Sequence, residues 1–404
     1  MNKSEDSDLE YAPIPVKDLL RQMRDASWLM VNLAFSAVIY GDVDLAEETL
    51  RLENEMDRLE LLLIMQAALA TRNIEDAERI VSIYRLATAT ARIGGAAGDI
   101  AKMALSKVMI PRDVAFKLFE ESGMLVQVPV GEELASETLS SLQSALDVSF
   151  DVVAVRRRGE TILEPPLSFT LEKGDRLFIR GTGEALREVL EHLGHRLPEP
   201  AEGSRLIYRF VADMVSKIRD ASMVMVDLAY TAVMTKSEEL ASKVSELEEY
   251  VDMMVEKFIG RIVASRELEP AEQYGLIRVI TASEEMADAA LTMVQPLLLG
   301  LEPHPLIAEV LQETMERISV IELDETDEGK TLAELGYGRR GISILAIRRG
   351  EEWIVKPRPG LRVRNGDILI VKYTSEADKY VEELEREEDR EEIIEEIQEE
   401  EWEN

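Results

Sequence analysis

Cysteine is missing from all 404 residues, which excludes disulfides, thiol nucleophiles and thiolate-held metals and fits a reducing compartment. Histidine occurs only as His192, His195 and His304, away from any paired acids, so a Ser-His-Asp triad or an imidazole metal site has nothing to build on. No Walker or Gly-x-Gly-x-x-Gly loop occurs, which excludes a complete dinucleotide-binding domain. The glycine-rich IGGAAGD lies within helical sequence and reads as close helix packing. Lys and Arg number 46 against 80 Asp and Glu, and the net charge of −34 argues against general affinity for nucleic acid or anionic lipid. The longest apolar runs are about 15 residues, broken by Asn32 or Asp227, where a spanning helix needs about 20. The start, MNKSEDSDLEYAP, has no apolar signal core. The expectation is a cytoplasmic, non-catalytic chain that neither binds nucleic acid nor inserts into a membrane.

What the chain does contain is a duplication. RDASWLMVNLAFSAV at 24–38 returns as RDASMVMVDLAYTAV at 219–233, displaced by 195 residues and identical at ten of fifteen positions. Apolar residues recur at helical spacing through Leu20, Met23, Met30, Ala34 and Val38, and again through Met214, Ile218, Met225, Ala229 and Val233. Two more helical stretches follow each, at 44–72 and 77–105 and at 239–266 and 271–299. Aromatics are only 5%, and the abundance of Ala, Leu, Met and Glu favours helix. Asn32 and Asp227 occupy matching places in apolar helices. Either they face the surface, or they fix the register of the two helical units against each other.

After each helical unit the periodicity changes. The pattern predicts, in the first copy, a helix at 111–122, a strand at 124–130 and a helix at 132–146. Strands follow at 150–159, 160–166 and 175–182, then a helix from Glu184. The second copy reads as a helix at 304–319, strands starting at 320, 342, 351 and 367, and a helix from Ser375. Lys-Gly-Asp and Asn-Gly-Asp precede the last strand of each copy and supply turn geometry. The domains are therefore expected at 14–110 (helical), 111–195 (α/β), 206–300 (helical) and 301–385 (α/β). A Pro/Gly-rich linker spans 196–205 and an acidic tail 386–404. From residue 376 onward there are sixteen acids against three bases, read as the last helix fraying into a solvated segment.

These residues carry two resemblances. The second helices resemble those of PhoU-like three-helix units, whose mark is an acid followed four residues later by Asp: here Glu53 with Asp57, and Glu248 with Asp252. The third helix of the second copy keeps a further pair, Glu284 with Asp288, where the first copy has Ala91 and Gly95. The α/β modules resemble RCK C-terminal domains, also called TrkA-C. GKTLAELGY, ISILAIRRG and RNGDILIV carry this in the second copy, and AVRRRGETILEPP and LEKGDRLFIRG in the first. The implied fold class is multidomain, α plus α+β: two PhoU-like three-helix units alternating with two small TrkA-C modules by internal duplication. The implied function is regulation of a membrane potassium or other cation transporter or channel. A PhoU-like regulator of phosphate transport and a metal-binding scaffold are the alternatives. The implied assembly is a pseudo-dimer closed within the chain, with a homodimer as the other way to bury the same faces.

Two sets of residues can carry ligands. Acids at i and i+4 share a helix face, so Glu53, Asp57, Glu248, Asp252, Glu284 and Asp288 can converge on a hard divalent cation or simply form a solvated stripe. Arg156, Arg157, Arg348 and Arg349 flank hairpin turns. They can hold a phosphate-bearing ligand or serve as structural turn residues. The resemblance adds cyclic di-AMP as a ligand of related domains. Their Asp, Arg and Asn motif falls here on Leu335, Tyr337 and Ser343, and on Gln143, Ala145 and Asp151.

Overall fold

The computed structural model describes residues 13–384 apart from 107, 109, 112, 116, 118–125, 147, 164, 195–205, 313–315, 324, 351, 356 and 375–376. His195, the linker at 196–205, the acidic tail and most of the helix expected at 111–122 lie outside the described residues.

The first helical unit is α1 (Val16–Tyr40), α2 (Val43–Ala70) and α3 (Ile74–Leu105). Gly41, in the left-handed conformation with φ of 63°, ends α1 and turns the chain at once into Asp42. The Asp42 carboxylate caps α2 by accepting from the backbone N–H groups of Asp44 and Leu45, both at 3.1 Å. The first α/β module follows: β1 (Val126–Pro129), α4 (Leu139–Ser144), β2 (Asp151–Arg157), β3 (Glu160–Leu163), β4 (Arg176–Arg180) and α5 (Gly183–His192). The second unit repeats the helices as α6 (Leu206–Thr235), α7 (Glu238–Val263) and α8 (Pro270–Leu298). The second module adds α9 (Leu306–Gln312), β5 (Glu316–Glu322), α10 (Leu332–Leu335), β6 (Ser343–Arg349), β7 (Glu352–Val355), β8 (Ile368–Thr374) and α11 (Asp378–Leu384). Both sheets are antiparallel with the same order, β1-β4-β2-β3 and β5-β8-β6-β7, and the same bulge, at 152/154 and 344/346. The duplication is therefore one of structure.

The two helical units pack as one six-helix body with α3 against α8 at its centre. Residues that match across the repeat reach over to the other copy. Arg24 stacks on the ring of Tyr230 at 4.3 Å, and Arg219 stacks on Phe35 at 4.9 Å. Each partner is the repeat equivalent of the other, so the contacts are reciprocal about a pseudo-two-fold axis. The Tyr230 hydroxyl also meets Thr90 Oγ1 of α3 at 2.9 Å, a bond that Phe35 has no atom to make. One face of each sheet joins this same core, through Val153, Ala154 and Phe178 and through Val320, Ala346 and Ile370. The opposite sheet faces bury their own clusters around Phe150 and Tyr373.

Charged side chains fasten the sheets to the helices. Arg156 of β2 reaches Asp42 at 2.6 Å and Asp44 at 3.1 Å, so one carboxylate both caps α2 and anchors the first module. Arg180 lies over Trp28 at 4.0 Å. Lys372 of β8 pairs with the buried Asp227 at 2.7 Å. Asp227 therefore fixes the second sheet to its own helical unit, rather than one helical unit against the other. Asn32, its counterpart, donates to the Trp28 carbonyl at 2.8 Å within α1.

Two element boundaries differ most from expectation. The helix expected at 132–146 shrinks to α4, because Ser136 takes a positive φ of 77° and a Thr138–Ser141 capping box starts the helix there. The helix expected to run to 319 stops at Gln312, because 316–322 pair with β8 along their full length and bury Ile318 and Val320.

Replacing Lys372 by Met strands Asp227 in the interior and is expected to cost about 3 kcal/mol in urea denaturation. The double variant D227L/K372M removes both charges and should recover most of that loss. A single variant within experimental error of the parent would show that the pair does not hold the sheet.

Candidate functional site

The acids on α7 and α8 come together, while those on α2 do not. Glu248 and Asp252 lie one turn apart on α7, and Asp288 faces them from α8. Carboxylate oxygens of these three lie within 4.8 Å of one another. Glu284, one turn before Asp288, is close enough to feel the other three charges. Burial, followed by the neighbouring carboxylates, raises Glu248 and Glu284 above the usual range. Asp288 is raised by burial, and Glu285 and Asp252 add to this against the opposing pull of Arg92. A set of oxygen donors that resists its own negative charge suits a hard divalent cation, by charge and by ligand type.

Arg92 is the residue that sequence reasoning missed. It comes from α3 of the other helical unit and donates to Glu285 at 2.7 Å, to Thr292 Oγ1 at 3.0 Å and to Asp288 at 3.3 Å. Its signal was present, because Arg92 follows Ala91 as Glu285 follows Glu284. Opposite charges at equivalent positions of a repeat meet when the copies close on each other. Arg278 of α8 answers it by pairing with Asp99 of α3 at 3.0 Å.

The first copy is built differently. Glu53 lies across Gly98, where any Cβ would collide with its carboxylate, and Lys102 approaches it at 3.4 Å. Asp57 is exposed. With Ala91 and Gly95 in place of acids, Glu53 and Asp57 join no group of three among the described residues. Small residues stand on the third helix where the second copy has carboxylates, and a lysine approaches the remaining Glu53.

The four arginines at the hairpins are dispersed. Arg157 grips Asp175 with Nε at 2.9 Å and Nη2 at 2.6 Å, and Arg349 grips Asp367 at 2.8 and 2.6 Å. Each Asp also accepts a backbone N–H at 2.8 Å from Glu172 or Arg364. Burial pushes the Asp175 carboxyl up, but these donors more than offset it and hold it below the usual range. The Gly-Asp signature is thus a buried clamp that folds the module. Arg156 is spent on Asp42 and Asp44, and Arg348 is buried. The engaged guanidinium groups leave these residues in structural roles rather than at a common ligand site.

The two modules meet each other instead at a 3-10 turn, Tyr337–Arg340. Ser149 N–H donates to the Arg339 carbonyl at 3.0 Å, Thr182 Oγ1 donates to the Gly338 carbonyl, and Arg339 pairs with Glu188 at 2.9 Å. Gly341, with φ of 74°, faces Ser149, its repeat equivalent. A Cβ on Gly341 would stand 2.9 Å from that of Ser149. The pseudo-axis therefore passes between the modules at this point.

Comparison with known proteins identifies the units. The PhoU domain family matches residues 20–104 and 215–296, and the TrkA-C domain family matches 124–194 and 319–385. No curated protein matches the chain. Among solved structures, PhoU from Pseudomonas aeruginosa is 17% identical over 70% of this chain and 93% of its own, with a TM-score of 0.39. The GsuK RCK domain is 14% identical over 76% of this chain and 78% of its own, at 0.18. The GsuK channel bound to NAD is 14% identical over 76% of this chain and 65% of its own, at 0.17. The domain matches, rather than these whole-chain superpositions, assign the units.

Because the folded state holds the Glu248, Glu284 and Asp288 protons more tightly than the unfolded chain, these groups favour folding at low pH. That contribution is lost as pH rises through their raised values. Manganese is expected to raise the melting temperature at pH 7 and to do so less at pH 4.5. E248Q should stabilise the metal-free protein by about 0.2–0.5 kcal/mol through lost i,i+4 repulsion, and D252N/D288N should abolish the manganese effect. An equal manganese shift in D252N/D288N would place the metal elsewhere.

Proposed function

We infer that the chain, which belongs by its four domains to the PhoU and TrkA-C families, is a non-catalytic regulatory subunit of a membrane cation transporter or channel, with potassium as the transported ion. The observation that carries this reading is that both TrkA-C modules close on each other at Ser149 and Gly341 and share one core with the six helices. A ligand that opens or tightens the seam between the modules has to move sheets bolted to that body. TrkA-C relatives supply cyclic di-AMP as the ligand class to try at this seam, and the α7–α8 acids supply a divalent cation as a second input. Control of a partner requires unequal ligand affinity for two states of the seam, and a tenfold ratio corresponds to about 1.4 kcal/mol. No helix among the described residues is long and apolar enough to cross a membrane, so the chain would act on its client from the side.

The test is transport. Deleting the gene is expected to change rubidium uptake and leave phosphate uptake untouched. A chain carrying R339E, which sets like charge against Glu188 at the seam, should fold normally and reproduce much of the deletion effect. If phosphate uptake changes and rubidium uptake does not, the PhoU domains carry the function and the regulator belongs to phosphate transport.

A further inference from the structure

The outer face formed by the first half of α6 and the second half of α7 gathers five cations of this acidic molecule. Arg261 lies 5.8 Å from the Phe210 ring, which sets the two helices side by side there. Phe210 and Met253 are 41% and 43% exposed, and Leu206 and Val263 extend the apolar surface at its end. Arg209, Lys217, Lys257, Arg261 and Arg266 are all exposed around them. None of the five forms an ion pair with a carboxylate among the described residues. Asp213, which leans toward Lys117 at 3.9 Å, and Glu249, Glu256 and Glu267 are the exposed acids among them. In a chain of net charge −34, five cations outside ion pairs beside exposed apolar side chains make a surface suited to an anionic, partly apolar occupant.

We propose that this occupant is the chain's own C-terminal segment, residues 385–404. Its sequence, EREEDREEIIEEIQEEEWEN, holds twelve acids against two arginines, with Ile393, Ile394, Ile397 and Trp402 as its apolar residues. Charge and apolarity therefore match on both sides. The distance is within reach. Lys372 fastens the second sheet at Asp227, which lies about 26 Å along α6 from Phe210 at 1.5 Å per residue. The segment departs after α11, whose first residue, Asp378, pairs with Arg317 of the same sheet at 2.5 Å. From Leu384 the remaining residues span up to about 70 Å when extended, or about 30 Å as a helix. Tethering holds the segment at an effective concentration on the order of millimolar, which favours it over a free competitor of the same charge. An anionic lipid surface offers similar charge to the patch, yet it must also take up the repulsion of the rest of the molecule.

The absence of cysteine makes the test clean. The M253C/W402C variant of the full chain carries two thiols only. Under mild oxidation it should form an internal disulfide at a rate independent of protein concentration. Adding K257E and R261E should slow that reaction by at least about tenfold, as should 0.5 M salt. A control pair, L69C/W402C, joins the segment to an exposed residue of α2 and should react at the slow rate throughout. Equal rates in the two pairs, or no response to charge reversal, would overturn the proposal. Disulfides forming only between chains would replace it with exchange between copies. Binding of the unmodified full chain to phosphatidylserine vesicles, lost with K257E/R261E, would replace it with a membrane surface.

Discussion

Two guanidinium groups, each stacked on an aromatic ring of the opposite repeat, decide how this chain closes. Arg24 on Tyr230 and Arg219 on Phe35 are one contact made twice, and neither can form within a single helical unit. A buried cation needs compensation, and the ring face supplies it where no water can. Burial drives the Arg219 guanidinium below its ordinary range, with Asp220 opposing, so its stacked position is the tolerable one. With these residues paired, α3 lies against α8. The Arg92 and Arg278 ion pairs then fall into place, and the two sheets are brought close enough to meet.

The pairing also accounts for what duplication preserved and what it released. Positions that make the same contact in both copies kept their character: Arg24 and Arg219, Asp175 and Asp367, Arg157 and Arg349. Positions where the copies face different neighbours diverged. Asn32 satisfies itself within α1 because Arg180 stacks on Trp28 nearby, whereas Asp227 answers Lys372. The acid site diverged most. Gly98 and Lys102 leave Glu53 with a cationic neighbour, so repulsion is relieved within the first copy. The second copy kept four carboxylates and receives its partial relief from Arg92, a residue of the first. The asymmetric site thus depends on the symmetric interface.

Much of the architecture was legible in the sequence because a repeat with helical period, followed by period two and Gly-Asp turns, leaves few alternatives. The i,i+4 acids were legible for the same reason, since spacing alone puts Glu248 and Asp252 on one face. Partners far apart in sequence were not. Periodicity does not say that Arg157 belongs to Asp175 or that Arg156 belongs to the cap of α2, and an arginine beside a turn looks the same whether it waits for phosphate or clamps a loop. The length of α4 was hidden too, because Ser136 breaks a helical pattern by a backbone conformation that its side chain does not announce.

A signal would travel through the attachments of the sheets to the helices. Each sheet has one face in the common core and the other in a small core of its own, so a module cannot tilt without disturbing helix packing. The links are short: Arg156 to the N-terminus of α2, Arg180 to the middle of α1, Lys372 to the last third of α6. The acid cluster lies on α7 and α8, and through Arg92 it touches the α3–α8 seam. Neutralising Asp288 would weaken its hold on Arg92, which with Arg278 links α3 to α8. Charge at the acid cluster would therefore be felt at the interface between the repeats, which the modules also share at Ser149 and Gly341. The physical medium of that coupling is the one continuous core that the reciprocal arginine stacks close.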